Sequence, residues 1–391
     1  MKKIVLSTIA AIAVGVTSLS AGQQFYVNED GQVFTTSAAD RIVIDQKETD
    51  VFSHADKLKF SGLAYLGLTS TDYRAAESSN TADTSKFELR RAYFQLKAYL
   101  LEDPKSYYRV TMDASTHGSS TDYQSVIVKY AYLYLNNVLP FTGVELGQVH
   151  RPWIDYEEHN SWGYRDIQKV FVEDGNGAHL TNSADLGFNF KTKTKYFDSE
   201  IGMFQGEGYH TAEANNDGMS LEWRATTHLL GVNGKDKATK KTYADVSFYG
   251  QYNTRHKADA AAKSGYADLV FGGLHAVFNT PAFQIAGQYI LSNDTSDVTN
   301  TVSAQSGSGY NAHTVARFGS HHQYAVLGRY DSWTANKFVN ADEVENRTYT
   351  LGASWEQNKN VQWVANVTTT DIQKNSDKNG NMYMITAQVE F

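Results

Sequence analysis

Between Lys57 and Phe391 the chain repeatedly runs for about ten residues in alternation of apolar and polar side chains, then breaks on polar punctuation. The segments fall at 57–68, 87–99, 106–113, 124–135, 143–149, 184–197, 199–207, 219–229, 242–253, 266–278, 282–293, 309–318, 322–333, 346–356, 360–370 and 380–391. Alternation with period two puts successive side chains on opposite faces of a strand, so each segment has one apolar and one polar face. The segments are near the roughly 9–11 residues that a tilted strand needs to cross a bilayer.

The gaps between segments have a rhythm of their own. Those after odd-numbered segments are long and polar, as in TSTDYRAAESSNTADTSK and NDTSDVTNTVSAQSGS. Those after even-numbered segments are mostly short: Asp198-Ser199, Thr280-Pro281 and Lys359-Asn360. The lysine-bearing gap GVNGKDKATKK breaks the rule. Long loops on one rim and short turns on the other predict an all-β, antiparallel, up-and-down transmembrane β-barrel of about 16 strands. Charge sorts with the faces. Arg91, Tyr93, Gln95 and Lys97 oppose Ala92, Phe94, Leu96 and Ala98, while Lys191, Lys193 and Lys195 oppose Leu186, Phe188 and Phe190. A cation facing lipid at the midplane costs roughly 2–4 kcal/mol, which turns the charged rows inward. Aromatics near segment ends (Tyr107, Tyr108, Tyr196, Phe197, Trp333, Trp355 and Trp363) are expected to form interfacial girdles. Lys129 sorts badly, sharing its parity with Ala131 and Leu133. A soluble sandwich or propeller would alternate too, but needs neither the loop rhythm nor charge confined to one face.

Composition fits strands and turns: 25 Tyr, 19 Phe and 29 Gly against 4 Pro in 391 residues. Residues 1–21 have a basic start at Lys2 and Lys3, a short apolar run from Ile4 to Val16, and small residues at Ser18, Ser20 and Ala21, and read as a cleaved signal peptide. With no Cys at the junction, the exported chain is not a lipoprotein. Its removal leaves 33 basic against 43 acidic residues, a net charge near −10, which argues against a nucleic-acid partner. Residues 22–56 are polar and weakly patterned and read as a periplasmic N-terminal segment, either a loose tail or a plug. Residues 57–391 are the expected barrel.

The longest gap, 150–183, is the candidate constriction loop, folded inward as the third long loop. Trp153 and Trp162 would pack it, and Asp155, Glu157, Glu158 and Arg165 would set its field. An extracellular flap is the competing arrangement. Asp155, Glu157, Glu158 and His159 match no metal-binding spacing, so no metal or cofactor is expected. GVNGKDK lacks the spacing of a phosphate loop.

FELRRAYFQLKAYLLEDPKSYYRVTMD, VIVKYAYLYLNNVLPFTGVELGQVHRPW and DLGFNF resemble an early hairpin, the next strand pair and the re-entering strand of the phosphate-selective porin O and P family. The resemblance implies a sixteen-stranded homotrimer in outer-membrane lipid, with its third loop in the pore. It further implies that inward arginines and a lysine cluster guide anions. Arg91, Arg109, Arg224 and Arg329 would carry part of the first role, and Lys191, Lys193 and Lys195 part of the second. The acidic balance of the chain departs from that pattern.

The function expected is passive diffusion of ions and small hydrophilic solutes, with anions or phosphate as the family-implied preference and no turnover chemistry. Two alternatives stand beside it: an outer-membrane lipid hydrolase, against which stands the lack of G-x-S-x-G, H-E-x-x-H or Cys nucleophile motifs, and an adhesin or structural barrel plugged by its loops. A transporter with 22 strands and a folded plug needs a longer chain. The final segment, NMYMITAQVEF, alternates to the last residue. Tyr383 and Phe391 are expected to close the barrel and to serve as the signal read by the outer-membrane assembly machinery.

Overall fold

The computed structural model describes residues 26–28, 33–34, 36–43, 57–73, 84–99, 103, 105–115, 125–209, 218–232, 241–258, 265–294, 305–337, 342–373 and 379–391. The expected signal peptide, most of 22–56, Lys235, Lys237 and Lys240, and much of the long polar gaps lie outside them. The chain divides into two compact units, Met1–Leu58 and Lys59–Phe391. The first contains three short antiparallel strands, β1 (Tyr26–Asn28), β2 (Val33–Phe34) and β3 (Arg41–Val43), in the order β2-β1-β3. The Arg41 guanidinium lies 3.5 Å over the Phe34 ring. The weak pattern of 22–56 gave no sign of this sheet.

Sixteen antiparallel strands then close a barrel in chain order. They are β4 (Leu58–Tyr73), β5 (Thr84–Ala98), β6 (Tyr107–Ser115), β7 (Ser125–Leu139), β8 (Thr142–His150), β9 (Ala184–Lys193), β10 (Phe197–Phe204) and β11 (Ser220–His228). After these come β12 (Tyr243–Ala258), β13 (Tyr266–Asn279), β14 (Phe283–Asn293), β15 (Gly307–Phe318), β16 (Tyr324–Ala335), β17 (Val344–Asn358), β18 (Val361–Ile372) and β19 (Gly380–Glu390). All sixteen correspond to the alternating segments. In β14, Phe283, Ile285, Tyr289 and Leu291 are exposed while Gln284, Gln288 and Ser292 are buried, a wall with apolar outside and polar inside.

Four local readings are corrected. The turn after β9 is Thr194–Tyr196, not Asp198-Ser199. The Thr194 backbone N–H donates to the Phe197 carbonyl at 2.8 Å, and the Phe197 N–H donates to Thr194 Oγ1 at 3.1 Å. The same threonine device closes the turn from Thr280 to Phe283. Trp333 is no girdle residue, because it is 2% exposed and meets the Phe171 ring edge-on at 6.4 Å. Tyr107 is on the inner parity, 5.1 Å from Tyr134 and 6.2 Å from Tyr132. Lys129 also turns inward. The β6–β7 register shifts between Thr111, opposite Tyr130, and Met112, opposite Val128, which leaves Lys129 as an extra residue. Such a bulge reverses the parity on one side of it.

The final strand, β19, pairs with β4 from Gly380–Tyr73 to Glu390–Leu63. The Phe391 N–H donates to the Gly62 carbonyl at 3.0 Å, and the Gly62 N–H donates to the Phe391 carbonyl at 2.8 Å. The Phe391 ring covers Gly62 so closely that a Cβ there would collide with Cζ. A side chain on residue 62 and a ring on residue 391 are therefore mutually exclusive as placed. Phe391→Ser is expected to lower the yield of folded barrel more than it changes conductance. A normal yield in a heat-modifiability assay would contradict this.

Candidate functional site

The segment between β8 and β9 is the centre of the site. It starts at Arg151, whose guanidinium lies 2.7 Å from Asp185, 2.8 Å from Glu222 and 3.2 Å from Gln251, and also bonds Thr181. The helix α1 (Pro152–Asn160) follows, with Pro152 at its first turn, where a missing N–H is harmless. It stops when the Ser161 and Trp162 N–H groups both donate to the Glu157 carbonyl at 2.9 Å.

One side of the segment is anchored. Trp153 stacks on Tyr249 of β12, with centroids 3.7 Å apart and planes 2° from parallel. The Tyr156 hydroxyl donates to Asp245 at 2.7 Å, and Gln288 Nε2 of β14 donates to Glu157 at 2.5 Å. Ser161 Oγ lies 2.9 Å from His275 Nε2 and 3.3 Å from His313 Nε2. Gln168 joins Asp331 of β16 to Thr350 of β17, each at 2.9 Å. Thr386 of β19 donates to Asp166, and Arg90 Nε of β5 donates to the Asp166 carbonyl at 2.8 Å. Asp245, Tyr249, His275, Gln288, His313, Asp331, Thr350 and Thr386 are buried residues of their strands, and Arg90 is half-buried. Apolar partners follow the same pattern: Ile167, Val170, Phe171 and Val172 form one buried cluster with Leu269, Ile290, Val315 and Leu327.

The other side borders a cavity of about 400 Å³. Asp155, Glu158 and Arg165 of the segment face Arg109, Lys129, His150 and a group of tyrosines across it. Most charges here are already paired. Arg165 contacts Glu158 and lies 2.8 Å from Glu173, while Asp155 lies 3.7 Å from Lys191.

The expected site residues thus separate. Asp155, Glu158, Arg165, Tyr93 and Arg109 share the cavity. Arg91 is close by but bonded to Asp113. Lys97 covers the Tyr107 ring at 4.7 Å. Trp153, Glu157 and Trp162 are on the anchored side. Arg224 and Arg329, 3% and 5% exposed, line no part of this cavity. Arg224 holds Asp198, Glu200 and the Pro152 carbonyl, and Arg329 holds Asp331, the Lys169 carbonyl and the Trp162 ring. The three lysines do not form one cluster: Lys191 is buried between Glu145 and Glu200, Lys193 is exposed at the end of β9, and Lys195 lies in the exposed turn. Tyr383 faces outward on β19. Arg90, Lys129, His150, Arg151 and Asp166 were not among the site residues expected from sequence. The adjacent arginines Arg90 and Arg91 were a signal, since strict alternation cannot send both inward.

Burial pushes the Glu157 carboxyl up to about 7 and that of Asp166 up to about 6. Burial also opposes the charge of Glu173, but Arg165 and Lys169 outweigh it and hold that carboxyl low. A carboxyl raised in the docked segment binds its proton more tightly there than in a released one. Docking is therefore strongest below the ordinary value near 4.5 and weakens as pH rises towards 7. Protease accessibility of 151–183 is expected to increase from pH 5 to pH 8, and Glu157→Gln to flatten that rise. An unchanged pH profile in Glu157→Gln would count against Glu157 as the titrating group.

No known family model matches this chain, and no curated protein matches it in sequence. Solved structures do resemble it. In-vitro folded OmpT in its trimer form, an outer membrane protein of Vibrio cholerae, superposes with a TM-score of 0.56 at 12% identity, over 85% of this chain and 99% of that one. The anion-selective porin from Comamonas acidovorans gives 0.57 at 12%, with the same coverage. Salmonella typhi OmpF in complex with daunomycin gives 0.56 at 14%, over 85% and 97%. At such identities the likeness is one of fold, a porin-type barrel.

Proposed function

We propose that this chain is an outer-membrane porin through which ions and small hydrophilic solutes diffuse passively, with segment 151–183 folded into the barrel as its constriction and anions preferred. The observation that carries the reading is the sorting of the wall. Apolar side chains occupy the outer parity around a closed sixteen-strand ring, and the inner parity carries charge, amides and hydroxyls, with apolar residues such as Leu269, Ile290 and Leu327 where segment 151–183 packs. A barrel of this strand number encloses an aqueous channel. Export by the signal peptide, insertion by the outer-membrane assembly machinery and assembly as a homotrimer belong to the same reading, the last supported by the trimeric OmpT it resembles. Anion preference rests on Arg109 and Lys129, the two cavity cations that are in no carboxylate contact. Phosphate as the favoured anion rests on the family resemblance alone.

The contact of Ser161 with two imidazoles brings a hydroxyl beside a base, as hydrolases do. Yet Ser161, His275 and His313 are at most 5% exposed, so the contact serves as an anchor. Reversal potential across a salt gradient tests the proposal, repeated with phosphate as competitor. The expected sign is that of an anion-selective pore, and Arg109→Ala should shift it towards zero. A cation-selective potential overturns the anion preference.

A further inference from the structure

The buried cations of this barrel are mostly spent on carboxylates: Arg91 on Asp113, Arg151 on Asp185 and Glu222, Lys191 on Glu145 and Glu200, Arg224 on Asp198. Arg109 and Lys129 differ, as does Arg317, which bonds Asn279 and the Thr280 carbonyl at another part of the wall. Lys129 Nζ bonds the Tyr93 hydroxyl at 3.1 Å and lies 4.7 Å over the Tyr93 ring and 5.4 Å over that of Tyr130. Arg109 bonds Thr111 and the Tyr132 hydroxyl, lies 3.1 Å from His150 Nε2, and covers the Tyr130 ring at 4.7 Å. Among the described residues no carboxylate comes within 4 Å of either. The bulge that turns Lys129 inward places it one residue from Tyr130, which is opposite Thr111, so the two cations flank one position of the wall.

Ring faces hold a cation without cancelling its charge. The wall therefore sets two cations without a carboxylate contact among flat aromatic surface, with Asp155, Glu158 and Glu390 elsewhere on the border of the same cavity. Tyr65, Tyr93, Tyr130 and His150 supply that surface within the cavity of about 400 Å³. A compact, ringless anion would gain the charge and its hydrogen bonds but no aromatic contact. A carboxylate attached to a ring gains both the charge and the aromatic contact.

From this geometry we infer that the Arg109–Lys129 wall is a binding step for a planar, ring-bearing monocarboxylate on its way through the pore. The inference rests on the porin reading and its anion preference, and deepens them by naming a solute class. Benzoate is the probe, with acetate as the ringless control. In planar bilayers, benzoate is expected to interrupt the chloride current of the full-length protein at about tenfold lower concentration than acetate. Lys129→Met and Arg109→Gln should each raise the benzoate concentration required, and Tyr93→Leu should bring it near that of acetate. Equilibrium dialysis of labelled benzoate against detergent-solubilised protein reads the same preference without any current. Benzoate no better than acetate in an anion-selective pore overturns this inference and leaves the porin reading intact. A protein without current that still binds benzoate through Lys129 supports the site and sinks the porin reading. Equal binding of the two acids in dialysis overturns the inference whatever the current shows.

Discussion

Deleting residues 153–166 is expected to raise single-channel conductance at least about twofold. The excised stretch contains the Trp153–Tyr249 stack, the Tyr156–Asp245 and Glu157–Gln288 bonds, and the Ser161–His275 contact. It also contains Asp155, Glu158 and Arg165, three of the charges bordering the cavity. On the proposed reading, in which the segment narrows a water-filled barrel, the narrowest cross-section governs current, so the deletion should enlarge it more than any change at either rim. The wall that remains keeps its strand pairing, because the pairing of β8 with β9 runs from Thr142–Thr192 to His150–Ala184 and uses none of the excised residues. Unchanged conductance in the deletion variant would place the constriction elsewhere.

Replacing Arg151 with Met is expected to destabilise the root of the segment by about 3–5 kcal/mol. Arg151, Asp185 and Glu222 are 2%, 2% and 4% exposed, so the change strands two carboxylates away from water. Asp185 keeps its bond from the Gly206 N–H, at 2.7 Å, and Glu222 that from Ser220, at 3.0 Å. Neither bond replaces a guanidinium. The triple variant Arg151→Met, Asp185→Asn, Glu222→Gln should recover most of the loss, because a buried ion group removed whole is often nearly neutral. Urea titration followed by tryptophan fluorescence reads both variants. A single variant as stable as the parent would show that the root is held by backbone alone.

The barrel was legible because period-two alternation leaves a mark that no loop can erase. β14 and its neighbours report their inside and outside residue by residue. Local irregularities were not legible, and they hold much of the site. A bulge at Lys129 looks like poor sorting until the register of β6 on β7 is known. The turn at Thr194–Tyr196 depends on one side-chain acceptor, and Asp198-Ser199 looked more turn-like in composition. β13 turns Leu269 and Phe271 inward, where they join the buried cluster of Trp162, Ile167 and Phe171 rather than meeting water. Trp333 was misread for the same reason. Arg224 and Arg329 were correctly turned inward, but their carboxylate partners and the carbonyls they hold come from distant sequence. Charge rows predict a face; only folding decides which of those charges remains available to a solute.

The most direct test of the account is the current through the full-length protein in a planar bilayer at moderate salt. The account predicts discrete, uniform steps that scale with salt concentration and persist at low voltage. A protein that inserts without steps, and conducts only once 153–166 is removed, would be a barrel plugged by its own segment and would contradict the porin reading.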